Sequence, residues 1–232
     1  MSRWSVPTEK QRSARRTDPL SQKRLVRAAV EILDADGEDA LTFRALAGRL
    51  ETGPGAIYHH VANKSELLEV AASGIIRAAL ERAPSPGEPP AEPLTAIRKL
   101  ALGVFDAIDA HPWVGTQLTR KPWQFAVIQL FEAVGAGLDA LGVPREAQFD
   151  SASTLVNYIL GLAGQYAAAS RLLAPSTDRR AFLGAIADEW TQLDPSEFPF
   201  MHGVAEGLEE HSDRDQFLFG IDLILGGIQA AR

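Results

Sequence analysis

Apolar residues recur at helical spacing along most of the chain, and no stretch alternates as a strand would. Leu25, Ala28, Ala29, Ile32 and Leu33 fall at i, i+3, i+4, i+7 and i+8, giving one apolar helix face, and Gly37 marks its stop. Thr42 is placed to cap a short second helix, because its hydroxyl oxygen can accept an otherwise orphaned N–H; Phe43, Leu46, Ala47 and Leu50 point inward. Glu51-Thr52-Gly53-Pro54 then breaks the chain. A brief third helix follows, with Ile57 and Val61 as its buried side and Tyr58, His59 and His60 outward. Asn63 and Glu66 have the spacing of a capping box for a fourth helix, whose apolar face is Leu67, Val70, Ala71, Gly74, Ile75 and Ala78.

Five prolines between Ala83 and Pro93 cannot continue a helix, since each removes a backbone donor. Residues 84–93 therefore read as a linker between a helical head, 21–83, and a larger helical body, 94–232. In the body, Leu94, Ile97, Ala101, Val104 and Ile108 define a helix stopped by His111-Pro112. Another runs from Trp123 to Leu141 and ends at Gly142 and Pro144. A long one spans Phe149 to Leu173, closed by Pro175. Asp194-Pro195-Ser196-Glu197 has the pattern of a helix start, with Asp as cap and Pro first. The last helix, Asp213 to Ala231, carries apolar residues on nearly every face and so demands cover all round. The fold class is all-α: an amino-terminal three-helix helix-turn-helix domain and a larger carboxy-terminal helical domain.

Charge changes this picture more than composition does. The 232 residues carry a net charge of −7, which taken globally argues against a nucleic-acid partner. Its distribution reverses the argument: up to Lys64 there are 11 basic against 8 acidic residues, and beyond it 12 against 22. Arg12, Arg15 and Arg16 cluster in a basic tail, residues 1–20. That tail has no apolar core, so no secretory leader is expected, and the absence of cysteine suits a reducing cytoplasm. Ser151 to Ser170 is uncharged and long enough to span a bilayer, yet its Asn157 and Gln165 mark it as a buried helix and no membrane partner is expected.

Enzymatic chemistry finds little to work with. There is no G-x-S-x-G, phosphate loop or dinucleotide fingerprint, and Gly53-Pro54-Gly55 is better explained by the turn. Five histidines show no metal-binding spacing, so neither metal nor cofactor is expected. A helical small-molecule-binding protein or enzyme without specific DNA binding is the alternative; salt-dependent DNA binding separates the two.

The segments LTFRALAGRL, Leu41 to Leu50, and PGAIYHHVANKSELL, Pro54 to Leu68, closely resemble the tetracycline-repressor family signature, including its tyrosine, its valine and the Asn-Lys before the fourth helix. Weaker echoes continue in the HPWV containing Trp113 and in the closing FGIDLILGGI. The resemblance implies a ligand-responsive regulator, most simply a repressor, that binds a palindromic double-stranded DNA operator as a homodimer. It implies that Arg44 reaches a base edge, that Thr42, Tyr58, His60 and Lys64 hold phosphates, and that Gly55, Ala56 and His59 face bases. The chain departs from the signature where a glycine usually ends the second helix: Glu51 stands there, followed by Thr52. Either that residue is strained or the turn shifts toward Gly53.

The resemblance places a small-molecule effector among the central helices of the body and pairs its last two long helices with a second subunit. The residues supply materials for both. Trp113, Trp123, Phe125, Tyr166 and Trp190 can give an apolar wall, and His111, Gln129, Asn157 and Gln165 polar points on it. The small residues Gly161, Ala163, Gly164 and Ala167 to Ala169 permit close helix approach, and the apolar last helix needs a common partner.

Overall fold

A computed structural model describes residues 20–81, 92–120, 124–172 and 178–230. Among them the chain forms eleven α-helices and no strand. It divides into two compact units, and the division falls between Ala71 and Ala72.

The first unit holds α1 (Gln22–Ala40), α2 (Phe43–Arg49), α3 (Pro54–Tyr58) and the first turns of α4 (Lys64–Glu81). The face expected for α1 is the buried one: Leu25, Ala28, Ala29, Ile32 and Leu33 are at most 5% exposed. Gly37 breaks α1 without ending it. Its φ of 78° turns the axis, and one further turn runs on to Ala40. In α4 the buried stripe is Leu67, Leu68, Ala71, Ala72, Ile76 and Ala79, whereas Ala78 is exposed and Val70, Gly74 and Ile75 half-buried. The expected face was therefore rotated. This helix is apolar around much of its circumference, so the sequence period alone did not fix which side would be covered.

The second unit adds α5 (Pro93–Ala110), α6 (Pro112–Arg120), α7 (Phe125–Ala140), α8 (Arg145–Leu172), α9 (Arg179–Thr191), α10 (Pro199–Ala205), a 3₁₀ turn at Leu208–Glu210 and α11 (Asp213–Ala230). Helix α8 packs against α5, α6, α7 and α11. Its Leu155, Val156 and Ile159 meet a core built from Ile97 and Val104, Val114 and Leu118, Leu130 and Val134, and Phe217 and Ile221.

Three expectations are corrected here. Asp194 to Glu197 is a turn, not a helix start: the Asp194 carboxylate accepts the Ser196 N–H at 2.8 Å and its hydroxyl at 2.7 Å. The turn cannot extend because Phe198, which precedes Pro199, is held out of the helical region at φ −124°, ψ 50°. Second, α8 begins four residues before Phe149, directly after Pro144. Third, α11 is not buried all round. Only Phe217, Ile221 and Leu225 are covered, and Phe219 and Leu223 are 65% and 62% exposed. Helices α6, α9 and α10 are additional to those expected from sequence, and Pro175, Trp123 and most of the Pro-rich segment lie outside the described residues.

Aromatic rings lock α5, α8 and α11 together. Tyr166 meets the Phe105 ring edge-on at 5.3 Å, Phe105 lies 4.9 Å from Phe217, and Phe217 is nearly parallel to Tyr158 at 5.8 Å. Both tyrosines end on α11 backbone: Tyr166 donates to the Asp213 carbonyl at 3.0 Å, and Tyr158 to those of Gln216 and Phe217 at 3.2 and 3.3 Å. Burial raises the pKa of both phenols, which keeps them as donors. On the surface, Arg98 forks onto Asp222 at 2.6 and 2.9 Å. About half of each side chain is exposed, so this tie adds less than about 1 kcal/mol.

Tyr158 reaches α11 only because residue 220 is glycine; a Cβ there would overlap the tyrosine ring. Gly220→Ala should therefore destabilise the protein by about 1–3 kcal/mol, read as a lowered melting temperature. Adding Tyr158→Phe, which removes the most crowded atom, should recover part of the loss.

Candidate nucleic-acid interface and ligand domain

The second helix of the head begins at Thr42, whose Oγ1 accepts the Ala45 N–H at 3.0 Å. The cap uses only the oxygen and leaves the hydroxyl proton outside it. Phe43, first in α2, packs edge-on against Tyr58 at the end of α3, centroids 4.8 Å apart. That contact brings the start of α2 against α3 while Tyr58 stays 59% exposed. Arg44 is exposed and has no hydrogen bond or ion pair among the described residues. Gly55 and His59 are also exposed, and Ala56 and His60 half-buried.

The turn between α2 and α3 resolves the question raised by Glu51. It is the left-handed residue, with φ 51°, whereas Gly53 sits at φ −84° in ordinary extended backbone. The Glu51 N–H donates to Gly48 O at 3.3 Å and the Thr52 N–H to Ala47 O at 3.0 Å, the paired bonds that close a helix through a left-handed residue. Strain, not a shifted turn, is what the chain accepts here. The turn is anchored from below by Ile57, fully buried, and Val61, 2% exposed.

Two further groups tie α2 and α4 to α1. Glu31 of α1 takes the Arg49 guanidinium at 2.7 and 3.0 Å and Arg27 Nε at 3.2 Å, which ties the end of α2 to α1. Arg49, and then Arg27, hold its carboxyl below the ordinary range. The tie is thus present above the unfolded carboxyl pKa and fades as pH falls through the lower folded value. Only the i, i+4 spacing of Arg27 and Glu31 hinted at it in the sequence. Lys64 is the second group. Its Nζ donates to the Glu38 carbonyl at 2.5 Å, which uses one of the three donors of the ammonium expected on a phosphate. The capping box of α4 is also displaced: Asn63 Oδ1 accepts the Glu66 N–H at 2.9 Å, but the Glu66 carboxylate returns to the N–H of Ala62 at 2.7 Å.

The residues expected around a ligand are less gathered. Trp113 is buried in α6, His111 is half-buried where α5 ends, and Trp190 is half-buried near the end of α9. Tyr166 belongs to the aromatic lock. Asn157 and Gln165 lie on the exposed side of α8, and Phe125 is 65% exposed at the start of α7. Gln129 on α7 is half-buried, and its buried Oε1 has no hydrogen-bond partner among the described residues. Trp123 lies outside them. Grooves of about 320 Å³ between α8 and α11 and about 770 Å³ between α7 and α8 open on this unit, and none of the described residues just named lines them: the walls are formed by other side chains, Ile224 and Ile228 in the first, Phe131 and Phe149 in the second. The buried Gln117 and Gln124, joined by a 2.6 Å bond from Gln124 Nε2 to Gln117 O, are polar core residues that sequence reasoning missed. The small-residue run of α8 is divided in use. Gly164 meets Thr119 of α6, and Gly161 faces open space.

A capped helix, a tight turn and a short exposed helix define a helix-turn-helix DNA-binding unit, followed here by a larger helical body. Residues 25–71 match the family of bacterial regulatory proteins of the tetR type, and residues 87–232 match the tetracyclin repressor-like carboxy-terminal domain. The chain belongs to the TetR family of transcriptional regulators. A TetR regulator of Streptomyces coelicolor shares 47% identity, with 91% of this chain and 99% of that one covered at a TM-score of 0.79. The HTH-type transcriptional repressor DrrR1 of Streptomyces coeruleorubidus is 27% identical over 224 residues, 90% of this chain and 77% of its own length. An HTH-type transcriptional regulator of Saccharopolyspora erythraea is 31% identical over 151 residues, 63% of this chain and 61% of the relative. At 24% identity the fold is shared with ActR of Streptomyces coelicolor, solved with actinorhodin (TM-score 0.72), and with BioQ, solved with its double-stranded DNA operator (TM-score 0.60). No helix among the described residues is long and apolar enough to cross a membrane, and no group of side chains there could hold a metal ion.

The strained turn has a measurable cost. A non-glycine residue in the left-handed region is disfavoured by about 1–2 kcal/mol, and the flexibility of glycine offsets part of that. Glu51→Gly should raise the stability of the head by roughly 0.5–1 kcal/mol, seen as a higher melting temperature.

Proposed function

We propose that the protein is a repressor that binds a palindromic operator as a homodimer and is released by a small-molecule effector in the cytoplasm. The observation that carries the DNA reading is the exposure of Arg44 beside a Tyr58 fixed by Phe43, on two short helices joined by a fully bonded turn. Arg44 can fork onto a guanine edge. The Thr42 hydroxyl proton, Tyr58, His60 and the remaining donors of Lys64 suit phosphates, and Gly55, Ala56 and His59 complete the face turned to the bases. Arg44→Ala should relax preference at one base pair of each half-site at a cost of about 1–3 kcal/mol, whereas Tyr58→Phe should weaken binding to all duplexes alike. Titrations against operator and random duplexes separate these outcomes; an unchanged ratio for Arg44→Ala would remove it as the reader.

The dimer reading is supported by two exposed stripes without charge. Phe219, Leu223, Gly226 and Ala230 recur on α11 at spacings of four, three and four, and Thr154, Asn157, Gly161 and Gln165 lie along the exposed side of α8. An exposed apolar stripe beside an uncharged one on its neighbour suits a four-helix interface with a second copy. Two-fold symmetry then matches operator half-sites about 34–36 Å apart. Leu223→Glu should give a monomer in light scattering, in contrast to Leu225, which is core of the single chain. For the effector, Gln129 has its chemistry open: a hydroxyl or amine on the ligand would satisfy its buried oxygen, with Trp113 and His111 as further candidate contacts.

A further inference from the structure

The end of α2 and the outer side of α1 enclose a small hollow in the head. It holds about 210 Å³ and is lined by Arg24, Arg27, Ala28 and Glu31 of α1 and by Arg49 and Leu50 where α2 ends. Guanidiniums repel one another and converge only around a counter-charge. Glu31 supplies it, and shares it unequally. Its Oε2 takes Arg49 through Nε and Nη2 at 3.0 and 2.7 Å, whereas its Oε1 takes Arg27 through Nε alone at 3.2 Å. One carboxylate balances one guanidinium, so Arg49 and Glu31 form a closed pair and the charge of Arg27 is left over. The Arg27 side chain is 82% exposed, and its Nη groups make no bond among the described residues.

Such a hollow is below the size that suits a drug-like ligand, about 300–1,000 Å³, and its walls are charged. Free guanidinium donors aimed by a neighbour suit a phosphate. The chain indicates whose phosphate. Leu50 stands four residues before Pro54, where α3 begins, and so lies within about 14 Å of it. The major groove of B-DNA is about 12 Å wide, so a duplex with α3 in its groove carries a backbone at that range. We propose that Arg27, steered by the Glu31–Arg49 pair, binds a phosphate of the DNA backbone bordering the groove that α3 enters. This rests on the DNA-binding reading above, and it adds a contact on α1 to those that the resemblance implies on α2, α3 and α4.

The test uses the full chain and two DNA probes, a random-sequence duplex and a duplex selected by the wild-type protein from a random library, titrated by fluorescence anisotropy across a potassium chloride series. Each phosphate neutralised releases counterions and contributes about 0.9 to the slope of log affinity against log salt. Arg27→Gln removes the charge and leaves the Glu31–Arg49 pair in place, so the head should stay folded by circular dichroism. Its slope should be shallower by about 0.9 on both duplexes, with affinity lowered severalfold. Arg27→Lys keeps the charge and should restore the slope. An Arg27→Gln variant with wild-type slope and affinity would leave Arg27 a surface partner of Glu31 and overturn the proposal, as would a slope that Arg27→Lys fails to restore. Calorimetry with inorganic phosphate and no DNA tests the other source of the same chemistry: binding that Arg27→Gln abolishes, beside an unchanged DNA slope, would make the hollow a free-anion site and likewise overturn the DNA assignment. A wild-type protein whose binding to neither duplex depends on salt would sink the DNA-binding reading itself, and the proposal with it.

Discussion

A helix of five residues cannot hold itself together in water, because nucleating the first turn costs more than so few hydrogen bonds return. The shape of α3 is therefore imposed by what lies beneath it. Ile57, with no exposed surface, and Val61 seat it on the core of the head, and the two bonds around Glu51 fix its entry from α2. Phe43 does the rest from the side, since its edge against Tyr58 ties the first residue of α2 to the last of α3. The exposed groups of α3 inherit their position from that small set of contacts.

The body solves a different problem. Its main element is a 28-residue helix, α8, whose sides must each find a neighbour. Apolar residues meet α5, α6 and α7, Tyr166 bonds to the Asp213 carbonyl of α11, and Tyr158 reaches the α11 backbone through the opening at Gly220. The side that remains, with Asn157 and Gln165, has no charge and no cover among the described residues. Exposed Phe219 and Leu223 on α11 leave the same account open from the neighbouring helix.

Legibility in the sequence followed the strength of local pattern. The five buried residues of α1, the Thr42 cap and the inward Ile57 could all be read, because period and capping chemistry act within a few residues. Where a helix is apolar on several sides the period loses its power, as in α4, whose covered face was misjudged, and α11, where burial was assumed on every side. Asp194 was misread because capping chemistry starts a turn whether or not a helix follows, and Pro199 decided against one. The motif also marks Arg44, Gly55, Tyr58 and His59 on the two short helices, and all four are exposed there. The residues expected around a ligand had no such guide: Trp113, Gln129, Asn157 and Tyr166 were chosen by chemical type, and type cannot say that Asn157 faces outward or that Tyr166 is spent on the Asp213 carbonyl.

The division between Ala71 and Ala72 falls inside an unbroken helix, so α4 is common property of head and body. Its 18 residues make a rod about 27 Å long. By simple leverage, a tilt of about 5° at one end carries the other roughly 2 Å, most of a hydrogen-bond length, without altering any bond within the rod. A rod of this kind has no gearing to adjust. Inserting or deleting a residue in α4 changes the length of the rod by about 1.5 Å and turns the face at its far end by about 100°.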